Sequence, residues 1–484
     1  MTAVITLVAL PLVLALAVFV WPEGRRILAV TGVAGMTAAV VATGQAVVRT
    51  AVLRLPVGGW PPPGIALEVD ALSVLLLGLT LLVAGLTTLY ALGYWTEPGH
   101  SGPSRRERAF WPLWWMLWAG LNTLFVTGDA FNAYVALELI GLSAVALVAV
   151  AGDTPALRAA LRYLLVSLAG SLAYLTGVAL LYGQYGWLDL ASLAGALEAG
   201  PVPALALAVI TAGLLMKTAL FPLHFWLPAA HSQAPGPVSA VLSALVVKAG
   251  LFLLLRFWFE VFDAWDTGAG TAVLGALGAV AVIWGSFQAL AAARLKLLVA
   301  YSTVAQLGYL FLAFPLMAGT GNTAILGREA VLYLALSHGL AKAAAFLVAG
   351  TCLWTTGQDR VADLGPVLHR LPVTTAAFAL AGISLIGLPP TGGFVGKWLL
   401  LRAMAEAGAW IWLGVIVAGT FLAVGYIFRV LVTVFRTDPE TSVPARRPAP
   451  IMEASALLLA LAALGMGFLA PVVEPLMRGL EAVS

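Results

Sequence analysis

The stretch 213–231, GLLMKTALFPLHFWLPAAH, places a lysine and a proline within an otherwise apolar run. A second stretch, 386–400, has the sequence IGLPPTGGFVGKWLL and combines Pro389 and Pro390 with Lys397. Proline removes a backbone donor from a helix and leaves a carbonyl unpaired. Irregular backbone at membrane depth is tolerated only inside protein or beside a water-filled cavity. The two stretches therefore predict two broken membrane helices, each with a lysine close to its break.

Apolar sequence extends far beyond these two stretches. The chain has 484 residues, of which 62% are hydrophobic and 10% are charged, whereas soluble domains carry about 25% charged residues. The net charge of +3 is too small to indicate nucleic-acid binding. The one cysteine, Cys352, excludes an internal disulfide and a cysteine-based metal cluster. This composition predicts an all-α polytopic membrane protein, and we find no cofactor motif in it.

Fourteen apolar runs are candidates for crossing a bilayer, which takes about 20 residues. The first run lacks a basic start and a small-residue cleavage site, so we expect a retained helix and not a signal peptide. The twelfth run is broken and continues to residue 405. The predicted spans are 3–21, 27–49, 71–95, 109–127, 130–151, 160–183, 202–221, 238–262, 271–293, 297–318, 328–355, 372–388, 409–435 and 451–476.

Basic residues in the predicted loops favour one orientation, with both termini outside. Fifteen lie on the inner side and six on the outer side, and the excess alternates from loop to loop. The inner residues are Arg25, Arg26, Arg105, Arg106, Arg108, Arg158, Arg162, Arg294, Lys296, Arg360, Arg370, Arg429, Arg436, Arg446 and Arg447. The outer residues are Arg49, Arg54, Arg256, Arg328, Arg402 and Arg478. The alternation supports the count of fourteen spans in a multi-pass protein of the plasma membrane.

The four remaining basic residues are lysines inside predicted spans: Lys217, Lys248, Lys342 and Lys397. Among the acidic residues, only Glu138, in AYVALELIGLS, is predicted to lie deep within a helix. A charge at the bilayer centre costs about 3 kcal/mol on insertion scales. A single lysine can reach the interface or form a structural ion pair, but five charges on five helices favour function. Lysine also suits proton transfer better than arginine, because a desolvated lysine can release its proton.

Three histidines lie close to these charges. His338 and Lys342 are four residues apart on one predicted helix face, and His224 and His231 follow the break at Pro222. A neutral imidazole both donates and accepts, and it titrates near neutral pH. A lone membrane histidine is more often a hydrogen bonder between packed helices. The spacing here favours a proton relay at His338 and candidate proton access at His224 and His231.

The two broken spans are the seventh and the twelfth, five spans apart. A repeat of five helices reverses its orientation in the membrane, so we predict inverted repeats of spans 4–8 and 9–13. Prolines that only kink packed helices are the alternative, but the lysine beside each break favours a transport site. The expected divisions are N-terminal helices 1–108, first repeat 109–262, second repeat 271–435 and last helix 451–484.

Three stretches resemble the antiporter-like subunits of respiratory complex I, membrane-bound hydrogenases and Mrp-type cation/proton antiporters. They are KTALFPLHFWLPAAHSQAPGPVSAVLSALVVKAG (217–250), SHGLAKAAAF (337–346) and GLPPTGGFVGKWLL (387–400). The resemblance implies fourteen helices with inverted repeats. It also implies a role for each buried group: Glu138 paired with Lys217, Lys248 at the centre, His338 and Lys342 between the halves, and Lys397 ending the second half-channel.

The chain departs from several of these relatives at Ala229, where they have an acid two residues before His231. Its length favours the D-type component of an Mrp-type antiporter, although the AHSQAP stretch also resembles hydrogenase-linked relatives. The resemblance thus leaves open which of these assemblies the chain belongs to.

We therefore predict a proton-translocating subunit, not an enzyme, of a multi-subunit antiporter for sodium or another monovalent cation. Its expected partners are other membrane subunits and the lipid bilayer; we expect no metal, cofactor or nucleic acid. The first alternative is a proton-pumping subunit of a complex I-like or hydrogenase-type redox complex whose redox groups lie in partner subunits. A stand-alone secondary transporter would show polar or aromatic binding residues at the breaks, where lysines dominate here. A structural scaffold would not need five buried charges.

Overall fold

The computed structural model describes residues 2–57, 65–96, 102–265, 267–436 and 446–469. Within these ranges the chain is almost entirely helical. The α-helices in chain order are α1 (Thr2–Val20), α2 (Arg25–Thr50), α3 (Ala71–Tyr94), α4 (Arg105–Phe125), α5 (Ala130–Ala149), α6 (Thr154–Tyr185), α7 (Leu190–Ala196), α8 (Pro201–Thr218), α9 (Leu227–Gln233), α10 (Gly236–Val241), α11 (Val247–Arg256), α12 (Gly268–Ala291), α13 (Leu295–Leu312), α14 (Phe314–Met317), α15 (Asn322–Thr356), α16 (Gly365–Arg370), α17 (Pro372–Ile386), α18 (Gly392–Glu406), α19 (Trp410–Arg436) and α20 (Pro450–Gly465).

Each of the fourteen predicted spans coincides with one or more of these helices. By length and composition, twelve helical segments in the described part are long and apolar enough to cross a membrane. The other two predicted spans are α4, whose first turn is rich in charge, and the twelfth span, divided into α17 and α18. The chain is therefore a multi-pass membrane protein. Residues 470–476 of the last predicted span lie outside the described ranges, as does Arg478.

Both predicted helix breaks are present. After α8, Ala219 adopts a left-handed backbone with φ 56°, and after α17, Gly387 does so with φ 85°. Residues other than glycine are disfavoured in the left-handed region by about 1–2 kcal/mol. The packing around Ala219 must therefore hold its backbone in this conformation. Each break leaves the last carbonyls of the preceding helix without a helical partner. These carbonyls are available to side chains inside the bundle.

One feature of the fold was not predicted, a small antiparallel sheet in a chain expected to be all-α. Strands β1 (Leu53–Val57) and β2 (Ile65–Val69) pair with Leu53 opposite Val69 and Leu55 opposite Leu67. They occupy the connection between α2 and α3, where five-residue strands satisfy backbone groups beyond the helix ends. The hairpin was missed because neither strand is long enough to stand out from the apolar runs beside it.

The loops distinguish the two ends of the bundle. One end, here called the hairpin end, holds the sheet and the α4–α5 connection, since Leu67 bridges Thr127. The other, here called the Arg294 end, holds the α12–α13 connection, where Arg294 forms an ion pair with Asp359 at 2.8 Å. Lys296 lies just inside this second end.

The centre of the bundle is formed by α11, α13 and α15. Every residue of α11 is buried, and α15 is buried along almost its whole length. Outer helices instead expose large apolar side chains, such as Phe19 of α1 and Phe421 of α19, as a lipid-facing surface does. The predicted charges on α11 and α15 therefore lie far from the outer surface. The division at 108, 271 and 451 stays a prediction.

Candidate functional site

Glu138 and Lys217 form an ion pair between α5 and α8. Glu138 Oε1 and Lys217 Nζ are 3.8 Å apart, and Lys217 Nζ donates a hydrogen bond to Ser167 Oγ of α6 at 2.8 Å. The Lys217 side chain is 8% exposed and that of Glu138 is 20% exposed. The structure thus brings the two residues together as the resemblance implied.

Glycines make room for this ion pair. A Cβ atom at Gly141 would lie 2.6 Å from Ser167 Oγ and 3.3 Å from Lys217 Nζ. One turn before Lys217, α8 packs closely on α6, where a Cβ at Gly170 would lie 2.9 Å from the Gly213 carbonyl oxygen. Small residues allow membrane helices such close approach. The position of Lys217 therefore depends on glycine at these positions as well as on its contacts with Glu138 and Ser167.

Lys248 is the second residue of α11 and follows a π-helical turn at Leu242–Val246. Such a turn disturbs the regular pairing of carbonyls with amides four residues later. Lys248 Nζ donates to the Ser243 carbonyl oxygen at 3.0 Å and lies 2.9 Å from His338 Nδ1. Because Lys248 is 1% exposed, these protein groups take the place of water around its ammonium.

Lys217 and Lys248 lie on neighbouring helices. The end of α8 packs against α11 at Gly250, where a Cβ atom would lie 2.5 Å from Thr218 Oγ1. Gly250 is two residues after Lys248, and Thr218 directly follows Lys217. This packing makes Lys248 the next buried lysine along a line that begins at Glu138.

Lys342 lies one turn after His338 on α15 but bonds to a different helix. Its Nζ donates to the Val299 carbonyl oxygen at 3.1 Å and to Ser302 Oγ, both on α13. Lys342 is fully buried. The pair His338 and Lys342 therefore connects α11 on one side with α13 on the other.

A polar face of α13 continues the line beyond Lys342. Ser302, Gln306 and Tyr309 have the spacing i, i+4 and i+7, which places them on one face of the helix. Lys397 Nζ lies 4.4 Å from the centre of the Tyr309 ring. These three residues were not predicted, since only charged side chains were sought within the spans; the sequence YSTVAQLGY at 301–309 carries the signal.

Lys397 lies at the second break, and the broken helix supplies its acceptors. Lys397 Nζ donates to the Ile386 carbonyl oxygen at 2.9 Å and to Thr420 Oγ1 of α19 at 3.2 Å. The Leu385 carbonyl oxygen is 3.4 Å away and also accepts from Gln306 Nε2 at 2.9 Å. The break after α17 thus positions Lys397, as the proline residues Pro389 and Pro390 predicted.

Lys296 corrects the charge census, which placed it in an inner loop. It is 1% exposed, and its Nζ donates to the Ala234 carbonyl oxygen at the end of α9. The error arose because α13 begins at Leu295, two residues before the predicted span. Lys296 therefore lies in the first turn of this helix, where neighbouring segments of the chain bury it. The described part of the chain therefore buries a fifth lysine.

His231 lies close to Lys296 in space, although the two are far apart in sequence. Its ring is fully buried, 5.5 Å from the Phe346 ring one turn after Lys342. Ser239 Oγ donates to the carbonyl oxygens of His231 and Ala234, and the Ala234 carbonyl also accepts from Lys296 Nζ. His231 therefore lies between the Arg294 end and the central lysines.

His224 does not join this line. It lies in the break after Pro222, where its ring stacks on Phe221 with centres 5.4 Å apart, and Phe221 in turn contacts Trp284 of α12. No contact recorded among the described residues joins His224 to the buried lysines. A role for His224 in proton access stays a prediction.

Two further carboxylates within helices are buried, although neither lies deep in its span. Glu107 of α4 is buried and pairs with Arg25, and Glu329 of α15 is buried as well. Both lie near the start of their helices and so near an end of the bundle. Glu138 remains the carboxylate beside the lysine line.

The chemistry of the line is that of ammonium, imidazole and hydroxyl groups. The structure brings together Glu138, Lys217, Lys248, His338, Lys342 and Lys397, with His231 and Lys296 beside them. In the described ranges, no three His, Cys, Asp or Glu side chains are grouped to hold a metal ion. Groups of this kind can hold and pass protons over short steps.

Comparisons with known proteins agree with this arrangement. Residues 127–423 match the family described as NADH:quinone oxidoreductase/Mrp antiporter, TM. The N component of the NADH-quinone oxidoreductase of Desulforudis audaxviator is 40% identical over 438 residues, covering 89% of this chain and 85% of that protein. The D component of the Na(+)/H(+) antiporter of Bacillus subtilis is 28% identical over 484 residues, covering 97% and 95%.

Solved structures show the same fold. A chain of the membrane-bound sulfane sulfur reductase, an archaeal respiratory membrane complex, superposes with a TM-score of 0.89 at 28% identity, over 100% of this chain and 97% of that chain. A chain of the Mrp complex from Dietzia sp. DQ12-45-1b gives a TM-score of 0.88 at 24% identity, over 99% and 96%. With its broken helices and matching sequence, the chain belongs to the NADH:quinone oxidoreductase/Mrp antiporter transmembrane family.

Proposed function

We propose that this chain is the proton-translocating subunit of a multi-subunit antiporter that exchanges sodium or another monovalent cation for protons. Protons pass along Glu138, Lys217, Lys248, His338, Lys342 and Lys397. The observation that carries this proposal is the 2.9 Å contact between Lys248 Nζ and His338 Nδ1, because it joins the lysines of the first half to those of the second.

The first step of the relay is electrostatic. Charges about 4 Å apart interact by roughly 4 kcal/mol at an effective dielectric of 20, and Glu138 lies 3.8 Å from Lys217. Loss of that interaction changes the preference for the proton by about a thousandfold, at 1.36 kcal/mol for each factor of ten. Weakening the ion pair therefore drives the proton from Lys217 towards Lys248.

The later steps use the acceptors already in place. A proton on Lys248 reaches His338 directly, and Lys342 lies one turn along α15. From Lys342 the α13 face of Ser302, Gln306 and Tyr309 leads to Lys397, with water completing the gaps. His231 and Lys296 give access from the Arg294 end, which the excess of basic loop residues favours as the inner side. We propose a plasma-membrane location with both termini outside on the same ground.

Partner subunits are part of the proposal. Glu138 lies on α5 in line with the exposed residues Val135 and Leu142, which are 48% and 52% exposed. A carboxylate on an apolar outer face is costly against lipid and is better covered by another protein. A neighbour packed there would also set the strength of the ion pair between Glu138 and Lys217. We therefore expect the chain to couple two ions only together with such a neighbour.

The test uses the assembled complex in proteoliposomes, with sodium-driven proton movement followed by a pH-sensitive dye. Lys217→Ala and Glu138→Ala should lower exchange to below about a tenth of the unmodified rate, as for loss of a proton-transfer group. Lys248→Arg should fail as well, because arginine keeps its proton. Arg54→Gln, which removes the exposed ion pair with Glu68, is the control and should exchange normally. Normal exchange in either relay variant would remove Glu138 and Lys217 from the mechanism.

A second function has specific support. The relative that is 40% identical is a component of NADH-quinone oxidoreductase, so a proton-pumping membrane subunit of a redox complex is the alternative. The same relay would serve it, with energy supplied by redox partners. Purification of the complex through a tag on this chain decides between the two: cofactor-free membrane subunits indicate the antiporter, and subunits with redox cofactors indicate the pump.

A further inference from the structure

A cavity of about 1030 Å³ lies at the hairpin end of the bundle. Its walls combine apolar residues of α2, α3 and α15 with four arginines and four carboxylates: Arg49, Arg54, Arg256, Arg328, Glu68, Asp70, Glu260 and Asp263. Glu260, on this wall, leaves 47% of its side chain exposed. The cavity is therefore open to ions from that end, and its deepest charged residue is Arg256, whose side chain is 8% exposed.

Arg256 is held there by two carboxylates. Its guanidinium forms a two-pronged pair with Asp70 at 2.7 Å and a further bond to Glu260 at 2.6 Å. Burial raises the pKa of Asp70, but the charge and hydrogen bonds of Arg256 outweigh this and hold that pKa below its ordinary value. A guanidinium stays protonated under all working conditions. The deepest point of the cavity thus holds a fixed positive charge that two carboxylates compensate.

An aromatic ring separates this charge from the relay. Lys248, Phe252 and Arg256 have the spacing i, i+4 and i+8 along α11, so they lie close to one helix face. The Arg256 guanidinium carbon lies 5.0 Å from the centre of the Phe252 ring, and Phe125 packs edge-on against that ring. Eight residues of α-helix place Lys248 about 12 Å beyond Arg256. Along α11, the way from the cavity to Lys248 therefore passes Arg256 and then Phe252.

We propose that Arg256 and Phe252 form a barrier, here called the α11 barrier, that prevents protons and cations from passing between the hairpin-end cavity and Lys248. The Arg256 guanidinium compensates the charges of Asp70 and Glu260, so neither carboxylate offers a free site to a cation or a proton at the inner end of the cavity. The two phenylalanine rings exclude the water that a proton would need. Fixed positive charge and apolar constriction are the two physical means by which pores exclude protons and cations.

The α11 barrier gives the relay a direction. A proton on Lys248 has the Ser243 carbonyl and His338 as neighbours on the near side, and the barrier on the other. It therefore moves to His338 and the second half and does not escape to the hairpin end. This inference rests on the proposed function in taking Lys248 as a proton carrier, and it adds that the cavity is closed to that lysine.

The experiment measures passive proton leak, which needs no working exchange. Proteoliposomes of the assembled complex receive a pH step without sodium, with valinomycin and potassium to prevent a membrane potential. Arg256→Gln and Phe252→Ala should each make the pH gradient decay several-fold faster than in the unmodified complex. Arg256→Lys keeps the charge and should remain tight. Arg54→Gln, which alters another ion pair on the cavity wall, should remain tight as well.

A double variant identifies the route. Adding Lys248→Met to Phe252→Ala should remove most of the extra leak, because the proton then has no carrier beyond the ring. Tight vesicles with both single variants would overturn the barrier, as would a leak that persists undiminished in the double variant. If Arg256→Gln does not assemble, Phe252→Ala, which leaves the ion pairs of Arg256 in place, decides the matter. Failure of the proposed function shows separately, as normal sodium-driven exchange in Lys248 variants.

Discussion

Lys248 Nζ lies 2.9 Å from His338 Nδ1, so that a buried hydrogen bond joins α11 to α15. With the lysine as donor, Nδ1 is the acceptor and the ring hydrogen is on Nε2. His338 Nε2 has no partner among the described residues. The ring can therefore take a proton on one nitrogen and release one from the other, which a purely structural hydrogen bond would not require.

His338→Gln tests this relationship. The glutamine oxygen can still accept a hydrogen bond from Lys248, but an amide cannot carry a proton onward. We expect normal assembly and exchange below about a tenth of the unmodified rate. His369→Gln, at an exposed histidine of α16, is the matched control and should have no effect. Exchange near the unmodified rate in His338→Gln would show that protons bypass this contact.

Gly141→Ala should separate activity from stability. The new Cβ would lie 2.6 Å from Ser167 Oγ, so Ser167 must shift and its hydrogen bond to Lys217 must lengthen or break. Alanine is a better helix former than glycine by about 0.8–1.0 kcal/mol, which offsets part of the crowding. We expect a complex of nearly unchanged melting temperature with clearly slower exchange.

The control for this substitution is Gly78→Ala in α3. Within the described ranges no atom lies within 4 Å of a Cβ built at Gly78. The same chemical change should there leave exchange intact and raise stability slightly. Equal exchange in the two alanine variants would mean that the position of Ser167 does not matter to Lys217.

Lys296→Met tests access from the Arg294 end. Methionine keeps much of the side-chain volume in the buried site beside Ala234 but cannot carry a proton. We expect slower exchange that recovers partly when the proton concentration on that side is raised, because uptake then limits the rate. Arg360→Gln, an exposed residue at the same end, is the control. Unchanged exchange in Lys296→Met at every pH would exclude this lysine from the access route.

The strength of each physical signal decided what the sequence could predict. Four buried lysines and two breaks were visible because charge and proline are costly in an apolar helix. Lys296 was missed because the predicted span begins at residue 297 and α13 begins at Leu295. This difference of two residues decides whether Lys296 is assigned to a loop or to a buried helix. Ser302 and Gln306 are uncharged and cost little free energy in a membrane helix, so their signal in the sequence is weak, and their packing beside Lys342 and Lys397 makes it clear.

Sodium should not bind along the relay of this chain. A hard cation prefers several oxygen ligands, carboxylates or carbonyls. Glu138 is the carboxylate beside the line, and Lys217 already lies 3.8 Å from it. At the second break, the Ile386 carbonyl accepts from Lys397 at 2.9 Å, so an ammonium occupies the position that a sodium ion would need.

If the complex exchanges sodium, its path therefore lies in a partner or between subunits. A high-resolution map of the whole complex in saturating sodium, compared with one in saturating potassium, is the measurement. We expect no sodium density with oxygen ligands next to Glu138, Pro222 or Pro389 in either condition. A sodium ion with four or more oxygen ligands at one of these places would show that this chain carries both ions. The relay would then have to release Lys217 or Lys397 from its present acceptors each time the cation binds.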